Sequence, residues 1–325
     1  MPTSSSLIGR ISRAACSWLP VVGLVRPPGR PQGISAIVRV RDEEEWLDAS
    51  IRSIIGFADQ IVIGDNGSRD RTPAIIERLR QEFPDLIEAL VLPDADICAL
   101  TNALIARTRY RWIIRWDADF VAHTTGPVRI SRFREWLFGL PPRRYYMIYP
   151  RMVELTGDLW HQDPTNPTRA DAHCWTASES VRYVYDARGY ESPRVPRWYL
   201  VRRWEMPCFY HVNVKSDDRM FFNYAWKRYL VNPRRRKCSD ISAYIDHLLV
   251  TEFGGRDLPR AAQEWVNRRV QQLVPIDHTR FPDYPELLGP ALARPRYQII
   301  DQGGRIVGRS TLEHATVTTE DADAS

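Results

Sequence analysis

From Ile34 onward, short apolar runs alternate with stretches of helical periodicity. Residues 34–40 are almost continuously apolar, which predicts a strand covered on both faces. Leu47, Ile51, Ile54 and Ile55 then share one helical face. Asp42 reads as the N-cap of that helix, Glu43, Glu44 and Glu45 fall in its first turn, and Gly56 reads as its stop. Ile61-Val62-Ile63 predicts a second strand that opens into the polar run Gly64-Asp65-Asn66-Gly67-Ser68-Arg69-Asp70. Asp70 reads as the cap of a helix starting at Thr72-Pro73, with Ile75, Ile76 and Leu79 facing inward. A third strand over 87–92, a short helix over 102–107 and a fourth strand over 111–116 follow. This alternation implies an α/β fold built on a doubly wound, mostly parallel sheet.

After Phe120 the rhythm breaks. A helix is predicted over 127–138 and a strand over 145–153, and the span 155–204, rich in Pro, Trp, Tyr and His, reads as loops forming a substrate surface. Helices are predicted over 220–230, 239–251 and 261–273, then a hairpin over 297–307 turning at Gln302-Gly303-Gly304. The acidic tail 316–325 reads as disordered. The chain thus divides into a leader and Pro/Gly linker (1–33), a first sheet-forming half (34–125), a mixed α/β region (126–230), a helical extension with its hairpin (231–315) and the tail (316–325). In the leader, Leu7, Ile8, Ile11, Ala14, Ala15, Trp18 and Leu19 recur at helical spacing around Arg10 and Arg13. Two readings stand: an interfacial helix resting on a membrane, or a disordered leader that packs on the domain. Pro20 breaks the apolar segment, against a cleaved signal peptide.

Composition narrows the class. The chain has 325 residues, with 45 basic and 40 acidic side chains and a net charge of +5. All but Lys215, Lys227 and Lys237 of the basic residues are arginine. The run Arg234-Arg235-Arg236-Lys237 reads as a solvated helix flank. Cys16, Cys98, Cys174, Cys208 and Cys238 are scattered without metal-ligand spacing, which points to reduced thiols and a cytoplasmic setting. No Gly-x-Gly-x-x-Gly follows any strand, so a dinucleotide-binding oxidoreductase is excluded. Nothing in the charge pattern calls for a nucleic-acid partner.

The chemistry concentrates at Trp116-Asp117-Ala118-Asp119, where a buried strand stops on two carboxylates one residue apart. The strand ends of a parallel sheet are where α/β proteins bind ligands. Hard oxygen ligands there suit Mg²⁺ or Mn²⁺, which in turn suits a diphosphate.

The run 34–123 resembles the nucleotide-sugar-binding half of inverting glycosyltransferases of family 2, which have the GT-A fold. Three motifs carry the resemblance in order: Ile37-Val38-Arg39-Val40-Arg41-Asp42-Glu43-Glu44, Ile61-Val62-Ile63-Gly64-Asp65-Asn66-Gly67-Ser68-Arg69-Asp70-Arg71-Thr72, and Asp117-Ala118-Asp119. Asp42 stands where relatives usually have Asn. The resemblance implies metal-dependent transfer of a hexose from a UDP- or GDP-type donor to a glycan or lipid-linked acceptor. It points to cell-envelope assembly, with peripheral contact at the inner face of a membrane. Asp65 and Glu43 are placed to meet the nucleotide, although Asp65 also suits a turn-stabilising Asx role and Glu43 a surface acid. Asn66 occupies the place where some uridine-nucleotide users carry a second acid, which leaves the base open. Asn102 is retained without its usual basic neighbour, so Arg39, Arg41 or Arg115 would supply the cation for the diphosphate. In relatives of the lipopolysaccharide-core type a distant His completes the metal site, implying Asp117, Asp119 and His211 as ligands, with Lys215 near the leaving diphosphate. The general base then falls on Glu191, about twenty residues earlier, with Asp171, Glu179 and Asp186 as rivals. Two other readings remain: a nucleotidyltransferase, opposed by the missing Gly-rich loop, and a non-catalytic carbohydrate-binding relative.

Overall fold

The computed structural model describes residues 7–25, 29–231, 238 and 240–312. Helix α1 (Leu7–Cys16) precedes the alternating half: β1 (Ile34–Val40), α2 (Leu47–Arg52), β2 (Gln60–Asp65), α3 (Thr72–Glu82), β3 (Ile87–Val91), α4 (Ile97–Arg107) and β4 (Trp112–Asp117). Then come β5 (Phe120–Ala122), α5 (Ser131–Phe138), β6 (Tyr145–Pro150) and β7 (Met152–Thr156). The span expected to be loops holds short strands: β8 (His161–Gln162), β9 (Thr168–Arg169), β10 (His173–Thr176), β11 (Arg182–Tyr185), β12 (Glu191–Arg194) and β13 (Tyr199–Trp204). After β14 (Phe209–Asn213) the chain turns helical in α6 (Asp217–Val231), α7 (Ile241–Phe253) and α8 (Leu258–Val270). It ends on β15 (Val274–Pro275), α9 (Gly289–Ala293) and the hairpin β16 (Tyr297–Gln302) and β17 (Arg305–Thr311).

The main sheet runs β13-β6-β10-β4-β1-β2-β3, and β10 alone lies antiparallel to its neighbours. This is the mostly parallel α/β sheet expected, with a helical C-terminal region. Both faces are buried, which explains the unbroken apolar runs: Ile114 and Trp116 enter one core cluster, Ile37, Val62 and Ile113 the other. A second sheet, β5-β14-β7-β9, stands beside it. The strand expected over 145–153 is therefore two strands in two sheets, with the chain crossing between them at Arg151.

Other local expectations change for identifiable reasons. Asp42 does not cap α2, which starts at Leu47 without a side-chain cap. Asp42 is left-handed (φ 53°), and its carboxylate accepts from Arg69 N at 2.7 Å. The amides of Asp42, Glu43 and Glu44 are instead satisfied by Ser68 Oγ, Thr72 Oγ1 and Asp70 at 2.9, 2.8 and 3.1 Å, which binds the loop after β1 to the loop after β2. Asp70 also accepts from Thr72 N at 2.9 Å at the start of α3. Helix α2 ends before Gly56, at Arg52. Helix α4 begins five residues earlier than the periodicity implied, because Asp96 caps it, accepting from the amides of Cys98 and Ala99. The tail after 312 and the basic run 234–237 lie outside the described residues. No helix among the described residues is long and apolar enough to cross a membrane.

The C-terminal hairpin fixes the backbone beneath the site. Arg309 of β17 is buried, donates to Gly157 O at 2.8 Å and Lys215 O at 2.9 Å, and pairs with Asp217. Removing one member of such a pair strands the other charge and both carbonyls. Arg309→Met is expected to cost about 3–5 kcal/mol in urea unfolding. A loss within the scatter of surface substitutions would show that the hairpin is not a clamp.

Candidate active site

Strand parity sorts the side chains at the end of β4. In the parallel register Arg39 of β1 faces Asp117 and Ile37 faces Arg115, so Arg39, Arg115 and Asp117 share one face. After Ala118 the chain enters β5, whose antiparallel partner β14 places His211 opposite Phe120, next to Asp119. Asp119 O also accepts from Val212 N at 2.8 Å. His211 Nε2 lies 3.2 Å from Asp119 Oδ2. On its other flank β14 runs parallel to β7 with His211 beside Glu154, and Nδ1 meets Glu154 Oε2 at 2.9 Å. Glu154 had no signal in the sequence, because register alone brings it here.

Lys215, just beyond β14, places Nζ 2.9 Å from Asp119 Oδ2 and 2.6 and 2.8 Å from the two oxygens of Glu43. Arg219, at the start of α6, reaches Glu43 at 3.2 Å and donates to Arg41 O. Glu43 is therefore an ion-paired, largely buried acid and not a surface one. Asp119, also buried, is no surface carboxylate either. Burial alone would raise its pKa, but Lys215 and His211 outweigh that and hold it well below the usual range. Burial likewise pushes His211 down, and Glu154 and Asp119 outweigh it and raise it to about 10. Lys215 is raised too, its burial outweighed by Asp119 and Glu43.

The opposite wall is a second charge cluster. Asp117 lies 3.3 Å from Arg39 and 3.6 Å from Arg115, and its pKa is lowered because those arginines outweigh its burial. Glu191, at the start of β12, pairs with Arg39 through one oxygen and with Arg115 at 3.4 Å through the other. Arg39 also donates to Thr101 of α4 at 3.2 Å. Nearby His173 bonds Tyr183 Oη at 2.8 Å. Burial, then Arg115 and Arg39, push its pKa well below the ordinary value, so the ring stays neutral. The Nε atoms of Arg39, Arg115 and Arg219 are buried without a hydrogen-bond partner among the described residues. Two of these donors, on Arg39 and Arg115, fall in this second cluster and suit an anionic ligand, and the third, on Arg219, falls in the Glu43 cluster.

The other expected residues fall differently. Asp65 ends β2 next to the site, and its Oδ1 accepts from Ser68 N and Oγ at 2.9 and 2.7 Å, an Asx turn. Asn66 donates to Ala95 O, and Asn102 exchanges two hydrogen bonds with the backbone of Tyr183. Arg41 points to exposed Asp94 at 3.5 Å. Of the rivals to Glu191, Asp186 closes the β11–β12 turn, accepting from the amides of Arg188 and Tyr190. Asp171 is exposed and paired to Arg169, and Glu179 lines a separate cavity of about 280 Å³ with Arg182 and Arg194.

Two ligands bonded cis to one Mg²⁺-sized ion at about 2.1 Å stand about 3 Å apart. Asp119 Oδ2 and His211 Nε2, at 3.2 Å, fit that spacing. Glu154 holds Nδ1, the carboxylate–histidine support that would leave Nε2 as the ligand atom once an ion displaced its proton. Among the described residues no three His, Cys, Asp or Glu side chains are gathered into a cage. Further ligands would have to come from Asp117, now facing arginines, or from a bound diphosphate.

Residues 35–125 match Glycosyl transferase family 2. The matched segment is the one that supplies Asp65, Asp117 and Asp119. A TPR repeat-containing protein of Synechococcus elongatus is 34% identical over 91 residues, which are 26% of this chain and 20% of that protein. The match thus spans about a fifth of that relative's length. Among solved structures, a mannosyltransferase from Pyrobaculum calidifontis in complex with GDP-Man and Mn²⁺ aligns over 80% of this chain and 84% of its own, at 12% identity and a TM-score of 0.39. A TarS fragment from S. aureus aligns over 81% and 75%, at 10% identity and a TM-score of 0.40. At these values neither assigns a residue, donor or metal to this chain.

The His211 cluster has a pH signature. A histidine whose folded pKa is raised stabilises the fold fully below its unfolded pKa of about 6.5. For His211 that contribution is lost as pH rises through about 10. Without divalent ions, melting temperature is expected to fall between neutral pH and that value, and His211→Gln should flatten the decline. An equal decline in both proteins would contradict the assignment.

Proposed function

We propose that this protein transfers a hexose, with inversion, from a nucleotide-diphosphate sugar to a hydroxyl of a glycan or lipid-linked acceptor. The observation that carries the reading is the Asp119–His211–Glu154 chain at the end of β4, whose Asp119 lies in the segment that matches family 2. Asp119 and His211 would hold Mg²⁺ or Mn²⁺, with Asp117 and the donor's diphosphate completing the set. Such an ion stabilises negative charge on the leaving diphosphate. Lys215, Arg39 and Arg115 would meet the same charge, since their present partners are carboxylates with which a diphosphate competes. Asp65 would face the nucleotide from the end of β2.

Inversion requires in-line attack by an acceptor hydroxyl whose proton passes to a carboxylate. Glu191 is the proposed base. Both its oxygens accept from Arg39 and Arg115, so a diphosphate drawing those guanidinium groups would leave the carboxylate free to take the proton.

Two variants separate these roles. Asp119→Asn keeps the side-chain volume and is expected to abolish Mn²⁺-dependent binding of nucleotide sugars by calorimetry; full transfer in this variant sinks the metal site. Glu191→Gln should retain donor affinity and slow single-turnover transfer by about 10²–10⁴-fold. Near-normal transfer, with collapse in Asp171→Asn, would move the base.

A further inference from the structure

The segment after α1 carries its polarity inside out. Arg13 turns inward, donating to the carbonyls of Tyr199 at 3.3 Å and Pro196 at 3.5 Å on the edge of the main sheet. Ser17 and Pro20 are buried, and Val25 packs on the core cluster around Tyr145 and Tyr199. Ala14 and Ala15 face solvent instead, as do Trp18, Val22 and Leu24, which are 54%, 64% and 74% exposed. Residues 14, 18 and 22 succeed one another at intervals of four, one stripe along the outer side. Backbone hydrogen bonds hold that presentation: Val22 N to Trp18 O at 3.0 Å, and Leu24 N to Leu19 O at 2.9 Å. A domain that spends an arginine on anchoring a turn while holding three large apolar side chains in water has a use for them outside itself.

Charge says what covers them. The first acid in the chain is Asp42, and Arg10, Arg13, Arg26 and Arg30 all precede it. Arg144 lies over the Trp18 indole, 4.3 Å from its centroid, and the adjoining Arg143 is exposed. Indole, aliphatic side chains and arginine, with no acid in the segment, match the boundary between acyl chains and anionic headgroups. A protein partner of ordinary composition would find no acid here to pair with its own cations.

We propose that the turn over residues 17–25 docks this protein on an anionic lipid bilayer, with Trp18, Val22 and Leu24 entering the acyl boundary. Arg143 and Arg144 then face lipid phosphates, and α1 serves as the mount that fixes the turn to β13 through Arg13. This stands independently of the transferase reading.

The test is sedimentation of the full chain with vesicles of phosphatidylglycerol mixed into phosphatidylcholine, and with pure phosphatidylcholine. Binding to the anionic vesicles is expected, weakening with added salt. The Trp18→Ser/Leu24→Ser variant should bind about tenfold more weakly at unchanged melting temperature. Leu24→Ser alone, at the most exposed site, should be intermediate, and Val250→Ser, an exposed apolar residue on α7, should bind as the parent does. Equal binding by the double variant and the parent, equal binding to both vesicles, or none to the anionic ones overturns the proposal.

Discussion

The structure depends on charge neutrality in a buried place. Asp117, Asp119, Glu43, Glu154 and Glu191 crowd one end of the sheet, and an unpaired buried carboxylate is too costly to persist. Each is met: Asp117 and Glu191 by Arg39 and Arg115, Asp119 by Lys215 and His211, Glu43 by Lys215 and Arg219, Glu154 by His211 and Arg169. The cations arrive from β1, β4, β9, β14, the turn after β14 and α6, so the second sheet and the C-terminal helices complete the site begun by residues 35–125. Arg309 clamps the backbone at Lys215, and moving that residue would take one of two cations from both Asp119 and Glu43.

A self-neutralised site is also one ready to exchange partners. On the proposed function, a divalent cation and a diphosphate would enter as a pair of opposite charge, each taking over part of the existing network without a net change in buried charge. Lys215 and Arg39 differ in what they offer such a ligand. Lys215 is a point charge shared between two acids, whereas Arg39 is a planar fork reaching Glu191, Asp117 and Thr101 together. Substituting one kind of cation for the other would not preserve these contacts.

The parallel half was legible because strands covered on both faces must be continuously apolar, as 34–40 and 61–63 are. Asp65, Asp117 and Asp119 were legible for the related reason that such strands end abruptly on polar residues. The short strands between 161 and 194 were not, since runs of two to four residues are too short to show a period. Asp42 misled because Asp-Glu-Glu-Glu imitates a helix start, while the groups that satisfy those amides, Ser68, Asp70 and Thr72, lie more than twenty-five residues away. Glu154, Arg169 and Arg219 escaped notice because only strand register and the α6 docking bring them in. Of the leader's two readings, the packed one was right about contact with the domain through Arg13 and wrong about disorder, since residues 7–16 form α1.

The central claim is that Asp119 and His211 are two ligands of one divalent ion. Crystals grown with Mn²⁺ and a nucleotide-diphosphate sugar, measured for anomalous scattering at the manganese edge, test it directly. The expected result is one peak within bonding distance of Asp119 Oδ2 and His211 Nε2, with Lys215 displaced from Asp119 toward the diphosphate. A bound donor with no anomalous peak there, and Lys215 still paired to Asp119, would contradict it.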